Sequence, residues 1–514
     1  MEKSDTVVAG ATESLSGEGT RLGGMDVRGA VASRLGADAR SLAAFRVGVA
    51  GVVLLDLLLR SRYLRAFYTD AGVLPRDVLF GYSPTLGPFS LHALSGALWF
   101  QAAVFAATGL AAVAMLVGYR TTLTTFLTGL LVVSMHVRNP LVLNGGDLVL
   151  QMLFLWGLFL PLGERWSVDA LRDGPRRDWV TSVATAGVLC QVVVIYTTNA
   201  VLKLRGDAWL SGEAIRYVFS LEMFVAGLGH WLAAYPDLLV AFDKVWLALL
   251  AASALLLVVT GWLRALLVAA FAAMHVGMLA TMQLGVFPVV SVVALLPFVP
   301  SVVWETVADH PHRPLVAGPR VARLREATRS RLPLVSTPSL PPEAVLWGRR
   351  AVTFALAAFL VFQLAYSAAS VGALPVPDAG PLDGEEPEAR WNMFAPEPLS
   401  VDRWLKAPAA TRAGGRVDAF HGGAFTWDKP PDVSESYPTA RWRKYVTNVA
   451  SEDDKSVPDA LAGYLCSRSP TGRTAAVTNV TVYDVAQPTR LDGPEPTRRT
   501  VLASTDCGAP SEDD

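Results

Sequence analysis

Long apolar runs recur along most of the chain and constrain its fold more than any other feature. A helix needs about 20 apolar residues to cross a hydrocarbon layer about 30 Å thick. Runs that reach or approach this length lie near residues 43–61, 97–118, 121–137, 148–163, 180–203, 239–262, 265–283, 286–303 and 350–372. A composition with 52% hydrophobic and 17% charged residues is also too apolar for a soluble protein of this size. The sequence therefore predicts an all-α polytopic membrane bundle of eight or nine spans.

Polar stretches divide the chain into five predicted parts. The first part, residues 1–35, consists largely of small residues and glycines and lacks the apolar core of a signal peptide. This composition favours a disordered tail. A Pro- and Arg-rich stretch near the last span has no apolar periodicity and is typical of a linker. Beyond that span, runs such as 475–483 are rich in β-branched and aromatic residues, which favours strands. The predicted parts are a disordered cytoplasmic tail (1–35), a transmembrane domain (36–303), a cytoplasmic linker (304–347), a last transmembrane helix (348–374) and a smaller β-rich extracytoplasmic C-terminal domain (375–514).

The distribution of arginines predicts the orientation of the spans, because basic residues concentrate in cytoplasmic loops. With nine spans, the N-terminal tail, the loops near Arg120, 165–177 and Arg264, and the arginines of 313–331 fall on one side. We therefore expect a multi-pass protein of the cell (plasma) membrane with a cytoplasmic N-terminus. The lipid bilayer is then its first partner. A net charge of −1, without a basic surface interleaved with aromatics, argues against nucleic-acid binding.

Residues 192–217 carry the most unusual polar pattern, because an apolar run there ends in a phenol, an amide and an amine. Tyr196, Asn199 and Lys203 share one face of a helix, and Trp209 follows in the next loop. Lys203 has two interpretations. Its amine extends to the lipid headgroups as a membrane anchor, or it lies in a poorly hydrated pocket where burial disfavours the ammonium and leaves an amine able to accept a proton.

A second polar group lies between two apolar runs, at residues 136–147. It consists of His136, Arg138, Asn139, Asn144 and Asp147. In one interpretation Pro140 ends a helix and the acidic side chain caps the next one. In the other, the group has a functional role, since charged groups at the edge of apolar helices are costly unless paired or used. We expect this turn to meet the Lys203 helix.

The remaining polar residues of the spans suggest packing or pairing. Asp56 and Arg60 are four residues apart on the first span and are expected to form an ion pair. His275 lies in mid-helix and is interpreted as a core histidine, because no second ligand at helical spacing supports a metal site. No metal is therefore predicted. Cys466 and Cys507 can form a disulfide if the C-terminal domain faces an oxidising compartment.

Several of these motifs resemble one known family. Its pattern is matched by Tyr196, Lys203, Leu204, Trp209 and Gly212, and further by 67–75, 138–140 with 144–147, and 391–396. The resemblance is to the HTTM (horizontally transferred transmembrane) domain family, and within it to the vitamin K-dependent gamma-carboxylases. It covers residues 35–300 well and the tail more loosely.

The resemblance implies a catalytic role for Lys203 as a base and a reduced, vitamin K-like quinone as cofactor. The functional role of the group at 136–147 would then be to hold a small oxyanion or to orient the quinone ring. It also implies that the tail helps to bind a peptide or protein substrate. The chain departs from the animal carboxylases at Asn144, Gly145, Gly146 and Asp147, where they carry a histidine beside paired asparagines.

Three functions from different classes remain open at the level of sequence. The first is a carboxylase- or quinol-oxygenase-like enzyme that oxidises a quinol-type lipid with Lys203 as base and modifies a peptide or small acid at the outer membrane face. The second is a non-catalytic membrane factor for secreted-peptide maturation or immunity. A transporter ranks last, because the sequence shows neither an internal repeat nor paired broken helices.

Overall fold

Long helices form where the sequence has its apolar runs, because a helix satisfies its backbone hydrogen bonds internally. The computed structural model describes residues 21–22, 25–174, 177–308, 341–374, 393–468 and 477–508. Helices are labelled α1 to α20 and strands β1 to β9 in chain order. The helices are α1 Val27–Leu35, α2 Ala39–Ser61, α3 Leu64–Tyr68, α4 Arg76–Tyr82, α5 Leu98–Val117, α6 Thr121–Arg138, α7 Gly145–Gly157, α8 Val168–Asp173, α9 Val183–Lys203, α10 Asp207–Ser211, α11 Ala214–Ser220, α12 Leu228–Leu232, α13 Pro236–Ala251, α14 Leu255–Val258, α15 Gly261–Thr281, α16 Phe287–Leu295, α17 Ser301–Ala308, α18 Pro342–Ser370, α19 Ala440–Ala450 and α20 Ser456–Arg468.

Six helical segments in the described residues are long and apolar enough to cross a membrane. They are α2, α5, α9, the continuous segment of α13 and α14, α15 and α18. A seventh is counted if α16 and α17, which meet at a bend of 96°, form one broken span. The predicted count of eight or nine is therefore not confirmed. Helix α6 is rich in threonine, and α7 has only 13 residues, which corresponds to about 20 Å of helix.

Three predicted boundaries differ from those of the structure. Helix α1 lies inside the stretch 1–35 that was predicted to be disordered, whereas 1–20 and 23–24 lie outside the described residues. Helix α17 crosses the predicted end of the transmembrane domain at 303, and 309–340 of the predicted linker 304–347 lie outside the described residues. The last apolar helix, predicted at 348–374, begins at Pro342 and ends at Ser370.

Helix α9 is the centre of the membrane domain. Of its apolar stretch, 72% is buried inside the protein, compared with 22% for α15. It packs against α7, α13 and α18, so its polar side chains meet protein groups rather than lipid. The helix begins with a capping box, in which Ser182 and Thr185 satisfy each other's backbone N–H groups.

The C-terminal domain is built on a five-stranded antiparallel sheet. Its longest strand, β8, pairs with β5 and β6 along one edge and with β9 along the other, and β6 also pairs with β7. The strands are β1 Arg21–Leu22, β2 Met25–Asp26, β3 Ala37–Asp38, β4 Trp179–Val180, β5 Val401–Lys406, β6 Pro408–Thr411, β7 Arg416–Asp418, β8 Val477–Pro488 and β9 Arg498–Asp506. Helix α20 packs on β8 and β9, and a disulfide joins its Cys466 to Cys507. The domain thus contains the predicted sheet together with two helices.

The C-terminal domain contacts the membrane domain mainly through α19, which packs against the short helical turn Pro140–Val142. The Asn448 amide donates to the Leu141 carbonyl at 2.8 Å, and the Tyr445 hydroxyl donates to the Val73 carbonyl at 3.0 Å. Side chains of the C-terminal domain therefore donate hydrogen bonds to backbone carbonyls in loops of the membrane domain. These bonds allow the facing surfaces of the two domains to be buried.

Candidate functional site

The predicted polar face of α9 is buried. Tyr196, Asn199 and Lys203 are at most 6% exposed, so the lysine does not extend to the protein surface as a membrane anchor would. Helix α9 ends at Lys203 itself, and the chain turns at Leu204 towards α10. The amine therefore lies at the end of a central helix, where loop and tail residues can surround it.

Three acceptor groups surround the Lys203 amine. Its Nζ donates to the backbone carbonyls of Met393 at 2.9 Å and Phe394 at 3.1 Å. It also lies 3.5 Å from the centroid of the Trp209 ring, well within cation–π distance. Among the described residues, no carboxylate forms a salt bridge with this amine. The direct contacts of the amine are thus with neutral groups, and the Asp243 carboxylate of α13 acts on it electrostatically without a salt bridge.

Both carbonyls belong to residues Met393–Glu397, which we call the covering segment. Asn199 donates to the Met393 carbonyl at 3.1 Å and Trp209 donates to the Phe394 carbonyl at 2.9 Å. A Cβ at Gly206 would collide with the Pro396 carbonyl, so only glycine allows this close approach. The segment contains the last four residues of the predicted motif 391–396. Trp391 and Asn392 lie outside the described residues.

A cavity of about 1260 Å³ opens beside the Lys203 amine. Its walls are formed mainly by apolar side chains of α9, α13, α15 and α16, with contributions from the covering segment and from α19. Four of the predicted site residues, Tyr196, Asn199, Lys203 and Trp209, line it, and Asn144 reaches its edge. The cavity is large enough for a ring with a hydrocarbon chain, since ligand pockets commonly measure about 300–1,000 Å³.

One further polar pair lines the cavity. The Tyr196 hydroxyl lies 3.2 Å from Nε2 of His275, which is 2% exposed. Phe271 stacks on the Tyr196 ring with centroids 4.5 Å apart, and Phe287 stacks on His275 at 6.0 Å. The histidine hydrogen-bonds to Tyr196, but it lies on a cavity wall rather than in the core that the sequence predicted.

The five polar residues predicted at 136–147 lie in three different places. Only Asn144, whose side chain caps α7, reaches the cavity. Arg138 donates to the Leu74 carbonyl at 2.9 Å and Asn139 donates to the Phe67 carbonyl at 2.9 Å, so both hold the loop after the first span. We expected Asn139, Asn144 or Asp147 to approach the polar face of α9. Of these three, Asn144 alone lines the same cavity as that face.

Asp147 belongs to a buried charge cluster. Arg60 bridges Asp56 at 2.6 Å and Asp147 at 2.7 Å. Arg441 of the C-terminal domain reaches the same carboxylates at 2.6 and 3.0 Å, and His136 lies 3.4 Å from Asp147. Burial alone would lower the pKa of Arg441, but the two carboxylates outweigh it and raise this pKa above its ordinary value. The predicted pair of Asp56 and Arg60 is present, but it is part of a larger network.

The charge cluster does not resemble an open metal site. Oxygen or nitrogen atoms of Asp56, His136 and Asp147 lie within 4.8 Å of one another, as in a three-ligand site. However, the guanidinium groups of Arg60 and Arg441 already bind both carboxylates. Their positive charges satisfy the acids and would repel a cation. The cluster joins the two domains electrostatically.

Sequence reasoning missed the contributions of the C-terminal domain. The carbonyls that bind Lys203 are backbone groups, so no residue type marks them. Arg441 looks like any other arginine of the tail, because its partners lie nearly 300 residues or more away in the chain. A detectable signal existed for Asp56, since an acidic residue inside an apolar run demands a partner.

The comparison with known protein families gives one match. A family model described as the HTTM domain matches residues 36–304, which is more than half of the chain and agrees with the predicted transmembrane domain. No curated protein matches the sequence, and no solved structure matches it. The helical bundle and the family match confirm the family prediction made from the motifs. The chain belongs to the HTTM domain family.

Proposed function

We propose that this protein oxidises a quinol-type lipid in the cavity beside Lys203. The observation that carries the proposal is the position of the Lys203 amine, which is buried at the end of a central helix and beside an apolar cavity of about 1260 Å³. The apolar walls suit a ligand that arrives from the bilayer. The few polar groups among them fix its orientation, as in most small-molecule sites.

The surroundings of Lys203 suit a base. A neutral amine has two N–H groups and one lone pair, and the carbonyls of Met393 and Phe394 match the two N–H groups. The lone pair is then left for a hydroxyl of the quinol. Once Lys203 has accepted the proton, the face of Trp209 stabilises the resulting ammonium. These neighbours thus favour proton transfer without a direct salt bridge to the amine.

Deprotonation makes the quinol easier to oxidise, because the anion gives up electrons more readily than the neutral molecule. Molecular oxygen is the oxidant. A hydroquinone and O₂ yield a quinone epoxide and water, which balances all atoms and electrons. When bound and oxidised, the quinol would supply a base strong enough to remove a proton from a peptide or small acid, and that proton would leave in the water. Arg443 and Lys444 of α19 line the cavity and supply positive charge on the side of the C-terminal domain, which supports an acidic substrate there.

The proposal includes the orientation in the membrane. Helices lie at all nine positions where the sequence has apolar runs, and the short α6 and α7 complete the bundle where they pack on longer helices. Counted as nine spans, they put the C-terminal domain opposite the arginine-rich loops and therefore on the extracytoplasmic side. The covering segment and the cavity beside it then belong to the outer half of the membrane.

The test is quinol-dependent oxygen consumption by purified protein and three variants. Lys203→Ala removes the amine, and Lys203→Arg keeps a positive charge that cannot serve as a base. We expect both to lose activity by at least about 100-fold, in the range of general base catalysis. Lys244→Ala is the matched control, since this lysine binds the Leu210 carbonyl outside the cavity, and its activity should equal wild type. Wild-type activity in Lys203→Arg refutes the base assignment. A wild-type protein without quinol-dependent oxygen consumption refutes the enzyme and favours a non-catalytic membrane factor.

A further inference from the structure

The cavity has a second polar position, formed by His275 of α15 and Tyr196 of α9. His275 Nε2 lies 3.2 Å from the Tyr196 hydroxyl. Its other ring nitrogen, Nδ1, has no hydrogen-bond partner among the residues that the structure describes. A buried polar atom without a partner costs about 1–3 kcal/mol. His275 lines the cavity, so a molecule bound there can supply the missing partner.

The pair offers both a donor and an acceptor, whichever tautomer His275 adopts. If the Tyr196 hydroxyl donates to Nε2, then Nδ1 carries the proton and donates to the cavity, and the phenolic oxygen can accept. If Nε2 donates to the phenol, then Nδ1 accepts and the phenol donates. A hydroxyl or a carbonyl oxygen can therefore bind here. The pair thus suits both the reduced and the oxidised form of one ligand.

Aromatic side chains define the shape of this position. Phe271 stacks on Tyr196, Phe287 stacks on His275, and the Trp246 ring lies 6.3 Å from His275. The three rings belong to α15, α16 and α13 respectively, so they approach the pair from three helices. Planar ligands bind well between such rings because of offset stacking. The position is therefore apolar and flat, with one hydrogen-bonding edge.

The separation of the two polar positions identifies the kind of ligand. Tyr196 and Lys203 are seven residues apart on α9, which is about two helical turns or 10 Å. A six-membered ring with para oxygens, hydrogen-bonded at each end over about 3 Å, spans a similar distance. An aliphatic lipid with one headgroup would leave one position unmatched. Two polar positions in one apolar cavity match a ring with an oxygen at either end.

We propose that His275 and Tyr196 bind the second ring oxygen of the quinol-type ligand whose first oxygen faces Lys203. This inference rests on the proposed function for the identity of the ligand, but it concerns binding and needs no turnover. His275 acts as a positioning residue. It fixes the ring along the cavity, so that one hydroxyl is presented to the Lys203 amine.

The test compares two probes in detergent-solubilised protein, with binding followed by quenching of tryptophan fluorescence. The first probe is a methylated para-naphthoquinone with a short isoprenoid chain, and the second is its analogue without one ring oxygen. In His275→Leu the affinity for the two-oxygen probe should fall about tenfold, the effect of one buried hydrogen bond. The affinity for the one-oxygen analogue should change by less than about threefold, because that ring still binds at Lys203.

Two further variants separate hydrogen bonding from packing. His275→Gln keeps a hydrogen-bonding group and should retain most of the preference for the two-oxygen probe. Val276→Leu changes an exposed side chain of the same helix outside the cavity, and both affinities should stay within about twofold of wild type. The proposal is overturned if His275→Leu loses affinity equally for both probes. It is also overturned if this variant still prefers the two-oxygen probe as strongly as wild type does. These outcomes are independent of oxygen consumption, so they are distinguishable from failure of the proposed reaction.

Discussion

Replacing Arg441 tests whether the buried charge cluster holds the C-terminal domain in place. With His136 neutral, Asp56 and Asp147 carry two negative charges, which Arg60 and Arg441 balance. Arg441→Met removes one positive charge and leaves a buried net charge of about −1. Removal of one partner from a buried ion pair typically costs about 3–5 kcal/mol. An interaction of about 4 kcal/mol at 4 Å and an effective dielectric constant of 20 gives the same range.

Hydrogen exchange of α19 measures this cost where it arises. A loss of 3–5 kcal/mol in the free energy of local opening corresponds to exchange that is roughly 150- to 4,000-fold faster in Ala440–Ala450. Arg412→Gln changes an exposed arginine of the same domain and should leave this exchange unchanged.

A compensating variant makes the test specific to charge. Adding Asp147→Asn to Arg441→Met restores a neutral cluster, because Asp56 and Arg60 remain as a pair. We expect the double variant to recover at least half of the lost protection, as for interacting sites in a double-mutant cycle. Electrostatics do not hold the domains together if Arg441→Met accelerates exchange of α19 by less than about fivefold. The same conclusion follows if the effects of the two substitutions on exchange simply add and the double variant recovers no protection.

Three further predictions concern the C-terminal domain. Burial raises the pKa of Asp402 to about 6. The folded state then keeps a proton that the unfolded state loses near pH 4, so the free energy of unfolding should fall as the pH rises from about 4 to 6. Asp402→Asn should flatten this pH dependence in thermal unfolding. Cys466→Ser opens a disulfide with a sequence separation of 41 and should lower the free energy of unfolding by about 2–4 kcal/mol in denaturant titrations; an equal loss in reduced wild type is the control. A cysteine introduced at the exposed Glu435 should react with a membrane-impermeant reagent in intact cells, and labelling only after lysis would reverse the proposed orientation.

The helices of the membrane domain could be predicted from sequence because each depends on a continuous apolar run. The alignment of Tyr196, Asn199 and Lys203 on α9 follows from the helical repeat alone, and all three line the cavity. Sequence could not decide whether Lys203 was a membrane anchor or a buried amine. That choice depends on the covering segment, which lies about 190 residues further along the chain.

The partners of the polar turn could not be predicted, because several local explanations fit the same residues. Asp147 does cap α7, as expected, with a carboxylate oxygen that accepts from the Asn144 N–H at 2.8 Å. The same side chain also pairs with Arg60 and Arg441. Capping is a local property that sequence shows, whereas ion pairs between domains depend on the tertiary fold.

The covering segment binds the Lys203 amine through the path of its main chain rather than through its side chains. Both groups that bind the Lys203 amine are main-chain carbonyls, which every amino acid possesses. Substitutions at Met393 or Phe394 leave these oxygens in place, whereas a one-residue insertion or deletion before Gly206 or after Pro396 would shift the register of the whole contact. Engineering of this protein by exchange of its tail therefore has to preserve length and geometry first. A membrane domain expressed without its tail would carry Lys203 in surroundings of a different chemical character.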